Sequence, residues 1–131
     1  MRSVRWPARF ELLRRDPVFI ADGGHNPQGI SAVAESLEAH FPGRRITFLI
    51  GIMADKDIPH MIDRLAPLAR EFVTVTPDNP RAIRADALAA MLTERGFAAT
   101  ACGSVGEGVR LAIERAGTDG VVCALGSLYM L

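Results

Sequence analysis

Between residues 22 and 27 the chain gathers side chains that could handle charge and protons: the string Asp22-Gly23-Gly24-His25-Asn26-Pro27 offers a carboxylate, an imidazole and an amide in quick succession. An apolar run, Val18-Phe19-Ile20-Ala21, precedes it, and apolar residues at helical spacing follow from about Gly29. The pattern is strand, tight turn, helix. Asn26 suits a helix cap because its side-chain oxygen accepts from an early orphan N–H, and Pro27 gives up only a donor that would be unpaired there. A helix N-terminus is positive, and it stands at the carboxyl edge of the strand, where α/β sheets bind ligands. A well-capped turn with an incidental histidine accounts for the same residues, so this stretch alone leaves both readings open.

Further polar turns, led by Asp55, Asp78 and Ser127, each follow an expected strand and would converge on the same edge of a parallel sheet. They contribute Lys56 and Arg81, whose charges attract anions, and Ser127, whose hydroxyl would stand beside the first N–H groups of a helix. Either cation alone is explained as a solvated loop charge. Together they describe a site for a small anion such as a carboxylate or a phosphate.

The elements that must position these turns are legible from periodicity. Residues 9–13 alternate and lead through Arg14-Arg15-Asp16-Pro17 into the run ending at Ala21, a hairpin pattern. Ile30, Val33, Ala34, Leu37 and Phe41 share a helical stripe that Pro42-Gly43 stops. Residues 46–50 are almost wholly apolar, as in a strand covered on both faces, and are expected at the centre of the sheet. Met61, Ile62, Leu65, Leu68 and Ala69 continue with helical spacing although Pro67 should kink or end the helix. A strand is expected over 72–76, a helix carrying Leu88, Met91 and Leu92 up to Gly96, and a short strand over 98–101. Ser104 and Glu107 have capping-box spacing ahead of Val105, Val109, Ala112, Ile113 and Ala116, and Gly117 closes that helix. Residues 121–125 form the last strand, and 126–131 open a helix that the chain end cuts short. The alternation implies an α/β, Rossmann-like, mostly parallel sheet with helices on both faces and an antiparallel N-terminal edge strand.

Composition excludes several classes. A chain of 131 residues with 49% hydrophobic content fits one folded domain. Fifteen basic against fifteen acidic residues leave no global field to attract nucleic acid or an anionic membrane. Cys102 and Cys123 are too few for a disulfide scaffold and lie in apolar surroundings, which fits a reducing cytoplasm, and the amino terminus has no signal or membrane-spanning stretch. There is no Gly-x-x-x-x-Gly-Lys-Ser/Thr loop, no Gly-x-Ser-x-Gly elbow, and no metal-ligand spacing among His25, His40 and His60, so no metal site is expected. Gly103-Ser104-Val105-Gly106-Glu107-Gly108 has the wrong glycine spacing for a dinucleotide loop. His40 and His60 read as surface residues on helices.

Taken in order, the motifs resemble those of the Mur ligase superfamily, and within it the carboxyl-terminal domain of the folylpolyglutamate synthases, often bifunctional with dihydrofolate synthase. Asp22-Gly23-Gly24-His25-Asn26-Pro27 is similar to that family's Asp-Gly-Ala-His-Asn-Pro, and Trp6-Pro7-Ala8-Arg9 to its Trp-Pro-Gly-Arg linker. Gly51 to Asp57 resembles the Gly-x-x-x-Asp-Lys-Asp loop, Asn79-Pro80-Arg81 the Asn-Pro-Arg turn, and Gly126-Ser127-Leu128-Tyr129 the closing Gly-Ser-Leu-Tyr. The departures, Ala8 and Gly24, remove no functional side chain.

The resemblance implies residues 1–8 as a linker from a central ATPase domain and 9–131 as a ligase carboxyl-terminal domain whose last helix runs on beyond Leu131. It implies a cytoplasmic enzyme in which ATP, with Mg bound mainly by the ATPase domain, converts a folate carboxylate to an acyl phosphate that the amine of glutamate attacks. Arg9 would reach ATP phosphate and Asp22 the ribose. His25 and Asn26 would line the meeting point of nucleotide and amino acid, with His25 the catalytic candidate for taking the amine proton. Lys56, Arg81 and Ser127 would hold glutamate. The ATPase domain would be supplied in cis or in trans, neither nucleic acid nor a membrane would be a partner, and this chain alone would be inactive. The competing expectation is a free-standing, non-catalytic module that binds an amino acid or a nucleotide.

Overall fold

The computed structural model describes residues 4–5, 11–15, 18–21, 27–54 and 57–126. Among these the strands are β1 (Val4–Arg5), β2 (Glu11–Arg15), β3 (Val18–Ala21), β4 (Ile46–Gly51), β5 (Ala69–Thr74), β6 (Ala99–Ala101) and β7 (Val121–Gly126). The helices are α1 (Pro27–His40), α2 (Ile58–Leu65), α3 (Ala85–Glu94) and α4 (Val105–Ala116), with a 3-10 turn over Ala66–Leu68. The strands form one sheet in the order β1-β2-β3-β7-β4-β5-β6. From β3 to β6 the neighbours pair parallel; β2 pairs antiparallel with β3, and β1 with β2.

The order follows from handedness. The connections from β3 to β4, β4 to β5 and β5 to β6 all step the same way across the sheet, and their helices α1, α2 and α3 lie on one face. The return from β6 to β7 steps the opposite way, so a right-handed crossover must put α4 on the other face, where Ala112 and Ala116 pack against Leu49, Val73 and Val122. The strand read as central, β4, is buried along its whole length and is the middle of the five parallel strands. Phe48 and Phe72 stack beneath α2 and α3 with ring centroids 5.6 Å apart, and Phe97 closes edge-on over Phe72 at 5.5 Å.

Two glycines decide local geometry. Gly96 follows α3 at φ +92°, its N–H bonding the Thr93 carbonyl and the Phe97 N–H the Leu92 carbonyl, the paired bonds of a Schellman close. Gly108 is where α4 touches the sheet: a Cβ there would stand 2.4 Å from Val75 Cγ1 and 2.9 Å from Leu49 Cδ1. The glycine that contributes nothing to a dinucleotide loop is thus a packing requirement. Ser104 caps α4, its hydroxyl accepting from the Glu107 N–H at 3.1 Å.

Three expectations need correction. Ala69 is not the last residue of a helical stripe but the first of β5; α2 stops at Leu65, because Pro67 cannot supply an interior N–H, and the chain turns through a 3-10 segment instead. That strand ends at Thr74, so Thr76 lies in the following loop. At the amino end a two-residue strand not foreseen, Val4–Arg5, lies inside the stretch read as linker and forms the outer edge among the described residues; β2 is described from Glu11, and Arg9 and Phe10 of the expected segment lie outside the described residues. His40 and His60 are exposed helix residues, as read, and the His40 ring Nδ1 lies 2.8 Å from the Ser36 carbonyl.

Candidate functional site

Four consecutive strands, β3, β7, β4 and β5, lead into the four polar turns. Their carboxyl ends are nearly level: Ala21 pairs with Ala124, Gly51 with Gly126 and Ile50 with Thr74. Parallel neighbours lie about 4.8 Å apart, so the backbone leaves the sheet toward residues 22, 127, 52 and 75 within a short row on one edge. Helix α1 begins at Pro27, directly after the first of these turns. The side chains of Arg9, Asp22, His25, Asn26, Lys56 and Ser127 lie outside the described residues; what is fixed is the strand or helix end on which several of those turns are mounted. Arg81 is described and is exposed.

The loops after β4 and β5 are bonded to each other. The Ile83 N–H donates to the Ile52 carbonyl at 2.9 Å, Met53 bridges Ala82 in antiparallel fashion, and the Ala54 N–H donates to the Arg81 carbonyl at 2.8 Å. This short ladder places Arg81 opposite Ala54, two residues before Lys56. The far end of the second loop is held by two threonines on one residue: Thr76 Oγ1 accepts the Ala85 N–H at 2.9 Å, and the buried Thr74 Oγ1 donates to the Ala85 carbonyl at 2.7 Å. Thr76 thereby serves the first amide of α3, which Arg84 at the cap position does not. Asp57 caps α2 by accepting the His60 N–H at 3.3 Å.

Charge around the loops is unevenly committed. Arg84 pairs with Asp86 at 3.2 Å, and that hydrogen bond and charge hold the Asp86 carboxyl below its usual value. Among the described residues no hydrogen bond or ion pair of the Arg81 guanidinium is seen, and the residue is exposed. Burial pushes the thiol of Cys102, at the start of the turn after β6, up from its ordinary value, and the Glu107 carboxylate adds to that while Arg115 opposes it. Among the described residues no three His, Cys, Asp or Glu side chains assemble as metal ligands, and no helix is long and apolar enough to cross a membrane. Sequence reasoning named the Asn79-Pro80-Arg81 turn but missed Thr74 and Thr76, whose signal was two threonines spaced to straddle the end of a strand ahead of a helix without its own capping side chain.

Residues 8–128 match the family model described as Mur ligase, glutamate ligase domain. A probable bifunctional folylpolyglutamate synthase/dihydropteroate synthase of Halobacterium salinarum is 38% identical over 130 residues, covering 98% of this chain and 16% of that protein. The structure of Mycobacterium tuberculosis folylpolyglutamate synthase complexed with ADP superposes with a TM-score of 0.83 at 25% identity, over 95% of this chain and 30% of that one. A bifunctional folylpolyglutamate synthase/dihydrofolate synthase with Mn, AMPPNP and L-glutamate bound gives a TM-score of 0.80 at 27% identity, over 95% and 30%. The chain thus spans less than a third of the length of each of these relatives. With a family model covering nearly all of it and a fold of the same topology, the chain belongs to the Mur ligase family, as its glutamate ligase domain.

Proposed function

We propose that this chain is the glutamate-handling domain of an ATP-dependent folylpolyglutamate synthase, which joins glutamate to a folate carboxylate activated as an acyl phosphate. The observation that supports the proposal is that four parallel strands end level on one sheet edge, and that residues 52–54, which lead in sequence to Lys56, are bonded to residues 81–83. Two cations there match a dicarboxylate amino acid, whose charges must be neutralised while its amine stays free to attack. Lys56, Arg81 and Ser127 hold glutamate, and Arg9, Asp22, His25 and Asn26 face ATP from this side. Mg would supply charge neutralisation on the phosphates and would be held mainly by an ATPase domain, since no group of His, Cys, Asp or Glu among the described residues fits it. His25, at the turn before α1, accepts the amine proton as the amide forms.

The test is ADP release by the full-length protein containing this chain, with ATP, a folate and glutamate varied one at a time. Release should require all three. In Arg81→Ala the glutamate KM should rise about tenfold, equivalent to about 1.4 kcal/mol, with the ATP KM nearly unchanged. ADP release indifferent to glutamate would remove the proposal.

A further inference from the structure

We infer that Asn79 is a positioning residue for glutamate recognition, acting by fixing the main chain of Arg81. Asn79 Oδ1 accepts the Arg81 N–H at 2.8 Å, and the Arg81 carbonyl accepts the Ala54 N–H at 2.8 Å, so both main-chain polar groups of Arg81 are held. Asn79 is tied in turn, its N–H donating to the Pro77 carbonyl at 2.8 Å and its carbonyl accepting from the Ala82 N–H at 3.0 Å. Pro80, between Asn79 and Arg81, fixes its own φ and has no N–H to lose. The side chain of Asn79 closes the turn onto its own backbone two residues on, which is what short amides do in loops.

Asn79 is exposed, so its side chain supports no core. What it supports is a cation on a surface loop, which without that bond must be ordered each time a ligand binds, at a cost in affinity. The ladder extends the effect: the same Arg81 residue is bonded to Ala54, so the turn that Asn79 closes is joined to the loop carrying Lys56. The inference rests on the reading that Arg81 binds glutamate, and the experiment separates the two.

In the full-length protein, glutamate and ATP kinetics are compared for Arg81→Ala, Asn79→Ala and Asn79→Ser, the last retaining an oxygen that can close a similar turn. The loss of one hydrogen bond in Asn79→Ala should raise the glutamate KM about three- to tenfold. Its kcat and ATP KM should stay within about twofold, the pattern of lost binding rather than lost chemistry, and Asn79→Ser should recover most of the deficit. A raised glutamate KM in Arg81→Ala with none in Asn79→Ala overturns the inference and leaves the reading of Arg81 standing. An unaltered glutamate KM in Arg81→Ala overturns both. Equal deficits in Asn79→Ala and Asn79→Ser would mean that the carboxamide itself meets the ligand, and would replace positioning by contact.

Discussion

The two ends of α3 are built on opposite plans. At its carboxyl end the helix closes on itself: Gly96 at φ +92° lets two backbone bonds satisfy the last carbonyls, and Phe97 drops onto Phe72. At its amino end Asp86 serves the Ala87 N–H locally, but the first amide is served by Thr76, nine residues back, while the loop ahead of it is bonded to a different loop altogether. The same division runs along the sheet. The reversals that feed β4, β6 and β7 contain Gly43, Gly96 and Gly117, all at positive φ. The loops leaving β3, β4, β5 and β7 hold all but one of the candidate site residues, Arg9 being the exception. The positive-φ glycine turns at the amino edge reverse the chain locally, whereas the loops after β4 and β5 are held by partners distant in sequence.

If that division is functional, damage at the carboxyl edge should appear in kinetics and damage at the amino edge in stability. The largest effect belongs to the turn before α1: Asp22→Ala or His25→Ala in the full-length protein should lower the rate about a hundredfold, equivalent to about 2.7 kcal/mol, as expected for lost positioning or proton transfer. Near-normal turnover in both would reduce that turn to a helix cap. A smaller effect is expected at Ser127, where alanine should raise the glutamate KM about tenfold and leave the ATP KM alone. A lowered melting temperature with an unaltered glutamate KM would make Ser127 a cap and nothing more.

The parts of this division that follow from side-chain pattern were legible in the sequence. Strands 46–50 and 121–125 show as apolar runs, interrupted only by Thr47, because both their faces are covered. The stops at Gly96 and Gly117 show because a left-handed close favours glycine. Ala69 misled because helical spacing continued by coincidence past Pro67, and spacing cannot register a missing N–H. The ladder between 52–54 and 81–83 was illegible for a deeper reason: it is made of main-chain groups, which every residue carries, and it joins loops separated by a helix and a strand. The edge where the candidate site sits could be read from residue types, but not the bonds that hold its loops.

The smallest predicted effect tests the amino-edge half of the comparison. Gly96→Ala introduces no clash, since nothing lies within 4 Å of where the Cβ would stand. Its cost is conformational alone: a residue with a Cβ disfavours φ +92° and has fewer unfolded conformations to give up, so the two effects oppose each other. The native-state strain should dominate, with a net loss of about 1 kcal/mol. Denaturant unfolding should therefore show a lower midpoint with an unchanged slope, since the surface exposed on unfolding is the same. Kinetics at the other end of α3 should not respond, because the bonds from Thr74, Thr76 and Asn79 that hold the Arg81 loop lie beyond the opposite terminus of the helix. A raised glutamate KM in Gly96→Ala would mean that α3 transmits strain along its length, and that its two ends are not independent.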